Sequence, residues 1–177
     1  MALRLYLLRH GETEASQTGG YCGRQDPDLT EAGHLMASDF ADSYKGHRFE
    51  SAYVSPMRRA RATAEPLCKA AGLEMRLRDG LREIDYGQWE GKTPEDVKLE
   101  FRDDYLSWLA DAGWNSPTGG ERGIDVGLLS RKPLLRISSH AHWTYRDFGL
   151  WNPDLASAID GERRDLVKVT DGTERPV

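Results

Sequence analysis

Three clusters in this chain combine residue types that can do chemistry. The apolar stretch Leu5–Leu8 ends in Arg9-His10-Gly11. A cation, an imidazole and a glycine at the carboxyl end of a strand stand where ligand crevices form in α/β sheets. A neutral histidine there is a nucleophile, and an adjacent arginine suits an anion. The second cluster, Ser55-Pro56-Met57-Arg58-Arg59-Ala60-Arg61, puts arginines into the opening turns of a helix. Unpaired N–H groups and the positive end of the helix dipole favour an anion at such a terminus. A guanidinium adds a planar fork matched to phosphate oxygens. The third cluster, Leu81-Arg82-Glu83-Ile84-Asp85-Tyr86-Gly87-Gln88-Trp89-Glu90-Gly91, alternates acids with apolar and aromatic residues. A carboxyl beside apolar and aromatic groups can act as a general acid. Alone, each cluster also fits a plainer description: a strand end with a hydrogen-bonded histidine, a solvated basic face (Arg58 or Arg61), and a surface loop. Their combination suggests a nucleophilic histidine in a phosphate pocket.

These residues need a scaffold, and the pattern along the chain supplies one. Leu3–Leu8 reads as a strand buried on both faces, because it is a continuous apolar run. Residues 14–28 read as a loop. Thr30 caps a helix that carries Met36, Phe40 and Tyr44 at i, i+4 and i+8. Phe49–Val54 is a second strand. Ser55-Pro56 predicts the next helix start, with Ser55 as N-cap and Met57, Ala60, Ala64, Leu67 and Ala71 along one face, ended by Gly72. Pro66 inside it costs about 3 kcal/mol in a regular interior and predicts a kink. Glu74–Arg78 is a third strand. Thr93-Pro94 opens another helix, with Asp96 completing a capping box, and Arg102–Ala110 continues it. Residues 115–123 read as a loop, Leu134–Ser138 as a late strand ending at His140, and Asn152-Pro153 as the start of a last short helix. Strands alternating with helices predict an α/β fold, a three-layer sandwich with a mostly parallel sheet.

Composition narrows the function classes. The 177 residues are 30% charged and 38% hydrophobic, which suits one globular domain spanning 1–177 with a real core. A net charge of −5 argues against a nucleic-acid or anionic-membrane surface. No apolar run is long enough to span a bilayer, and the N-terminal run has no cleavage site after it. Cys22 and Cys68 lack metal-ligand spacing, and the expectation is a reduced, cytoplasmic setting.

In order and spacing, the stretches LLRHGET, GRQDPDLTEAG (23–33), SPMRRARATA, LREIDYGQWEG and PTGGE (117–121) resemble the histidine phosphatase superfamily, in its phosphoglycerate mutase-like branch. The resemblance covers about residues 3–121. It implies a phosphorylated nucleophile at His10, phosphate-binding arginines at Arg9 and Arg59, and a proton donor at Glu83. Gly11, Thr13, Ser16, Cys22 and Gly23 fall where the family contacts substrate, Ser16 replacing an asparagine common among mutases. The implied partner is a small phosphorylated metabolite, with no metal and no cofactor. The glycolytic mutases carry an insertion after the acid motif, whereas this chain runs from Gly91 directly into Lys92-Thr93-Pro94. That resembles the shorter phosphatases and favours hydrolysis over transfer.

The pattern changes near Arg122. The family follows its GGE segment with a long helix, a strand and a second histidine. Here Leu135–His140 is the candidate strand and His140 the candidate second pocket histidine, with Ala141 in place of a glycine. Residues 122–143 also resemble an internal segment of the endonuclease/exonuclease/phosphatase superfamily, so 122–177 forms an atypical C-terminal segment with a junction near 122. Three functions follow: a metal-independent phosphatase, a phospholigand-binding domain without turnover, and a metal-dependent phosphodiesterase resting on residues 122–143 alone.

Overall fold

A computed structural model describes residues 6–127, and the backbone of 2–3 and 142–143. The described elements, in order, are β1 (Ala2–Leu3), α1 (Glu14–Thr18), α2 (Glu31–Tyr44), β2 (Ala52–Val54), α3 (Arg58–Ala71), β3 (Met75–Leu77), α4 (Pro94–Glu100), α5 (Arg102–Ala110) and β4 (His142–Trp143). Short 3-10 turns at Asp79–Leu81 and Gly87–Trp89 separate β3 from α4. The chain divides into two compact units, residues 1–9 with 134–177, and residues 10–133. In the first, β1 pairs parallel with β4. In the second, β2 pairs parallel with β3 through Ala52–Met75, Tyr53–Arg76 and Val54–Leu77. Both pairings are parallel, as the alternation of strands and helices predicts.

Of the strand expected at Leu3–Leu8, Leu3 is in β1 and residues 4–5 lie outside the described residues. Residues 6–10 lie outside any strand, and Leu7 and Leu8 are exposed. Among the described residues β1 has the two-residue β4 as its paired strand. The predicted loop at 14–28 contains α1. Thr13 caps it in a reciprocal box: its hydroxyl accepts from the Ser16 N–H, and the Ser16 hydroxyl accepts from the Thr13 N–H. Serine replaces the usual Glu or Gln at the third position of that box.

Thr30 caps α2 as expected, accepting from the Gly33 N–H at 3.0 Å. The buried stripe of α2 is Gly33, Ala37 and Ala41, not the larger Met36, Phe40 and Tyr44. Small residues let α2 lie close against α3, while Phe40 stacks on Tyr44 at the helix edge. α3 runs without interruption through Pro66 and ends at Gly72, whose φ of 64° is the left-handed C-cap geometry. Its buried positions are Arg59, Thr63 and Cys68; of the expected face, Met57 just before the helix is buried and Ala60, Ala64, Leu67 and Ala71 are half-buried. The Thr93–Asp96 capping box of α4 is present as read. Phe101 breaks the expected continuous helix into α4 and α5. The expected loop at 115–123 is present over residues 115–122, and helical backbone begins at 123 and runs to 127. The strand at Leu134–Ser138, His140, and the helix from Asn152 lie outside the described residues. No described helix is long and apolar enough to cross a membrane.

Candidate active site

His10 opens the larger unit and is half-buried. Its Nδ1 lies 2.7 Å from the Gly11 carbonyl oxygen. A carbonyl only accepts, so this bond assigns the proton to Nδ1 and leaves the lone pair of the neutral ring on Nε2. Gly11 donates its N–H to the Thr63 hydroxyl at 2.9 Å, and that hydroxyl donates to the Arg59 carbonyl at 2.8 Å. Thr63 is buried in α3 and ties the His10 turn to the helix bearing Arg59. A methyl on Gly11 would run into the Gly33 carbonyl, and one on Gly33 into the Glu12 carbonyl, so α2 meets this turn backbone to backbone.

Arg59 is 3% exposed. Its Nη1 donates to the Gln25 carbonyl at 2.7 Å, and its Nη2 faces the Cys22 and Gly23 carbonyls, both at 3.2 Å. Asp26 Oδ1 lies 3.6 Å from Nη1. The fork expected to reach for phosphate is thus largely engaged by the 22–25 loop, while Nε makes no hydrogen bond among the described residues. The α3 N-terminus is engaged too. Its N-cap is Met57, without a side-chain cap, and Ser55 lies before it. Asp26 takes the capping role from another segment, accepting from the Arg58 N–H at 2.7 Å and the Arg59 N–H at 3.5 Å. A carboxylate of the chain itself occupies the place where an incoming anion was expected.

Glu83 accepts from the Ile84 N–H at 3.0 Å and lines a cavity of about 240 Å³ with Arg24, Arg82, Glu121 and Val126. Arg24 reaches Glu121 at 2.8 Å and Asp85 at 3.5 Å, and Glu121 accepts from the Asp85 N–H at 2.9 Å. These contacts join the DYG and GGE stretches. The Cys22 thiol, which donates to the Gln25 carbonyl, is pushed above its ordinary pKa by burial, with nearby Arg59 opposing the rise and Glu90, Asp26 and Glu83 adding to it. Arg59 and Glu83 therefore both act on the same thiol.

The other expected contacts are distributed unevenly. Arg9 is exposed and belongs to the smaller unit. Thr13 is buried with its hydroxyl in the α1 cap, and Ser16 is exposed. Gly23 is buried, and both of its backbone groups are engaged, the N–H by Glu90 and the carbonyl by Arg59. Sequence reasoning passed over Asp26, Thr63 and Glu90. Their only sequence signal is position, since each lies inside a recognised motif.

The chain matches the histidine phosphatase superfamily (branch 1) over residues 5–144. It belongs to that family. Phosphoserine phosphatase 1 of Hydrogenobacter thermophilus is 34% identical over 141 residues, 80% of this chain and 66% of the relative. Among solved structures, a putative alpha-ribazole-5'-P phosphatase from Escherichia coli superposes with a TM-score of 0.72 at 30% identity, covering 78% of this chain and 68% of that one. Mycobacterial glucosyl-3-phosphoglycerate phosphatase, solved with VO3, gives a TM-score of 0.66 at 31% identity, covering 74% of this chain and 65% of that one. The chain thus spans slightly less than two thirds of the phosphoserine phosphatase and of the mycobacterial enzyme. The α/β fold of these histidine phosphatases is the fold of this chain, and the family match continues beyond residue 121.

Proposed function

We propose that this histidine phosphatase family member is a metal-independent phosphomonoester hydrolase that acts on a small phosphorylated metabolite through a phosphohistidine at His10. The observation that carries the reading is the Nδ1–Gly11 carbonyl bond, which sets the tautomer a nucleophilic Nε2 requires. Nε2 attacks phosphorus in line as the ester P–O bond breaks, and Glu83 gives its proton to the leaving alkoxide. Glu83 then takes a proton from water, whose oxygen attacks the phosphohistidine and releases inorganic phosphate and free His10. Such acid–base assistance contributes about 10²–10⁴ in rate. Arg59 Nε is the cation offered to the equatorial oxygens. The relatives named above support a phosphorylated metabolite as substrate, and a cytoplasmic setting accords with the two unpaired cysteines.

The test is hydrolysis of an aryl phosphate in excess chelator. Turnover, inhibition by vanadate and its loss in His10→Ala are expected. Activity that survives His10→Ala, or that needs a divalent cation, overturns the reading. The engagement of both Arg59 Nη groups favours one second reading, a domain that binds phospholigands without turnover. An acid-labile phosphoenzyme excludes it.

A further inference from the structure

We propose that Glu90 is a positioning residue for Arg59: its carboxylate holds the 23–25 loop against the Glu83 segment and thereby sets where the Arg59 guanidinium lies. Glu90 Oε1 accepts from the Gly23 N–H at 3.0 Å, the Arg24 N–H at 2.8 Å and the Tyr86 N–H at 3.1 Å. Oε2 accepts from Gln25 at 3.1 Å and shares Gly23 at 3.1 Å. Three consecutive N–H groups converging on one point form a nest of the kind that binds anions, and here a carboxylate of the chain fills it. The carbonyls of Cys22, Gly23 and Gln25 bond instead to Arg59. The loop is therefore a wall of peptides between a carboxylate and a guanidinium. Each charge polarises the peptides in the sense that strengthens the bond to the other.

The same carboxylate fixes the distance to the proton donor. Its Tyr86 bond anchors it within the acid segment. Gly23 lies against the Ile84 carbonyl so closely that a Cβ there would collide with it and sit 2.7 Å from Glu90 Oε1. Ile84 follows Glu83 directly. Tyr21 adds a backbone tie, accepting from the Gly91 N–H at 2.7 Å and donating to the Lys92 carbonyl at 2.9 Å. Removing the Glu90 charge leaves these ties in place and releases the three N–H groups nearest Arg59.

The kinetic part of this inference rests on the hydrolase reading, so the experiment uses readouts of two kinds on the full chain. In Glu90→Gln, amide hydrogen exchange at Gly23–Gln25 and Tyr86 is expected to rise about tenfold or more. Below the melting temperature, kcat on an aryl phosphate is expected to fall about 10²-fold, and the vanadate Ki to rise. Glu90→Asp, which keeps the charge but withdraws it by one methylene, falls between the two and carries the same measurements if Glu90→Gln does not fold. Unchanged exchange at these amides overturns the inference. So does faster exchange with wild-type kcat and vanadate inhibition in the folded enzyme, since that is a purely structural role. If the wild type neither turns over nor binds vanadate, the hydrolase reading fails. The Arg59 Nε–H resonance then decides: a shift in Glu90→Gln supports the positioning role, and an unmoved signal overturns it.

Discussion

Loop 22–25 and helix α5 both contact the 83–91 segment, and different forces hold them. The loop is fixed by directional bonds that reach a carboxylate at one end and a guanidinium at the other. Helix α5 meets the segment through rings: Trp108 stands edge-on to Trp89 at 5.8 Å, and Tyr105 lies tilted at 6.2 Å. Its Leu106 and Leu109 are exposed. Rings fill volume and tolerate tilt, whereas a bidentate charged bond fixes atoms. The candidate catalytic groups lie where the bonds are directional.

Arg59→Met is the severest way to break this contrast. It leaves the Cys22, Gly23 and Gln25 carbonyls without their donor and takes from Asp26 one of its two arginine partners, Arg58 remaining, at a cost of about 3–5 kcal/mol. Urea denaturation is expected to show a large loss of stability, accompanied by loss of hydrolysis. Thr63→Val acts more narrowly. It strands the buried Gly11 N–H at about 1–3 kcal/mol, and kcat is expected to drop along with the denaturation midpoint, because the orphaned group adjoins His10. Tyr105→Leu tests the ring-held side. It removes one aromatic contact at about 0.5–1.5 kcal/mol, and thermal unfolding should register the change while kcat/KM stays within about twofold of wild type. A parallel loss of activity would show that the two regions are not independent. Leu106→Lys, on the exposed face of α5, is expected to alter stability by less than about 0.5 kcal/mol in the same urea assay.

Local chemistry was legible in the sequence, and distant partnership was not. Thr30, Gly72 and the Thr93–Asp96 box declare helix ends within four residues, and the structure places those ends as read. The α3 start was misplaced because its cap is Asp26, 32 positions from Arg58. Helix α1 was missed because a serine box between glycines resembles a turn. The buried face of α2 was misjudged because Gly33, Ala37 and Ala41 bury by closeness, not by size. For the candidate site, motif order nominates His10, Arg59 and Glu83. It carried no sign that the Arg59 Nη groups bond to peptide carbonyls, or that Glu90 collects four N–H groups, since both depend on the path of a loop.

The meeting of Gly11 with Gly33 bears on how such a chain can diversify. Each glycine sits where the other segment's main chain leaves no room for a methyl, so neither position can be altered first and compensated afterwards at the other. Enlarging either one pushes the same two backbones apart. A saturation library should therefore find both positions closed, singly and together. Their helical neighbours His34 and Leu35, which face solvent, should accept most side chains. Beside His10 the chain can change its outward decoration, but the approach of α2 is inherited whole.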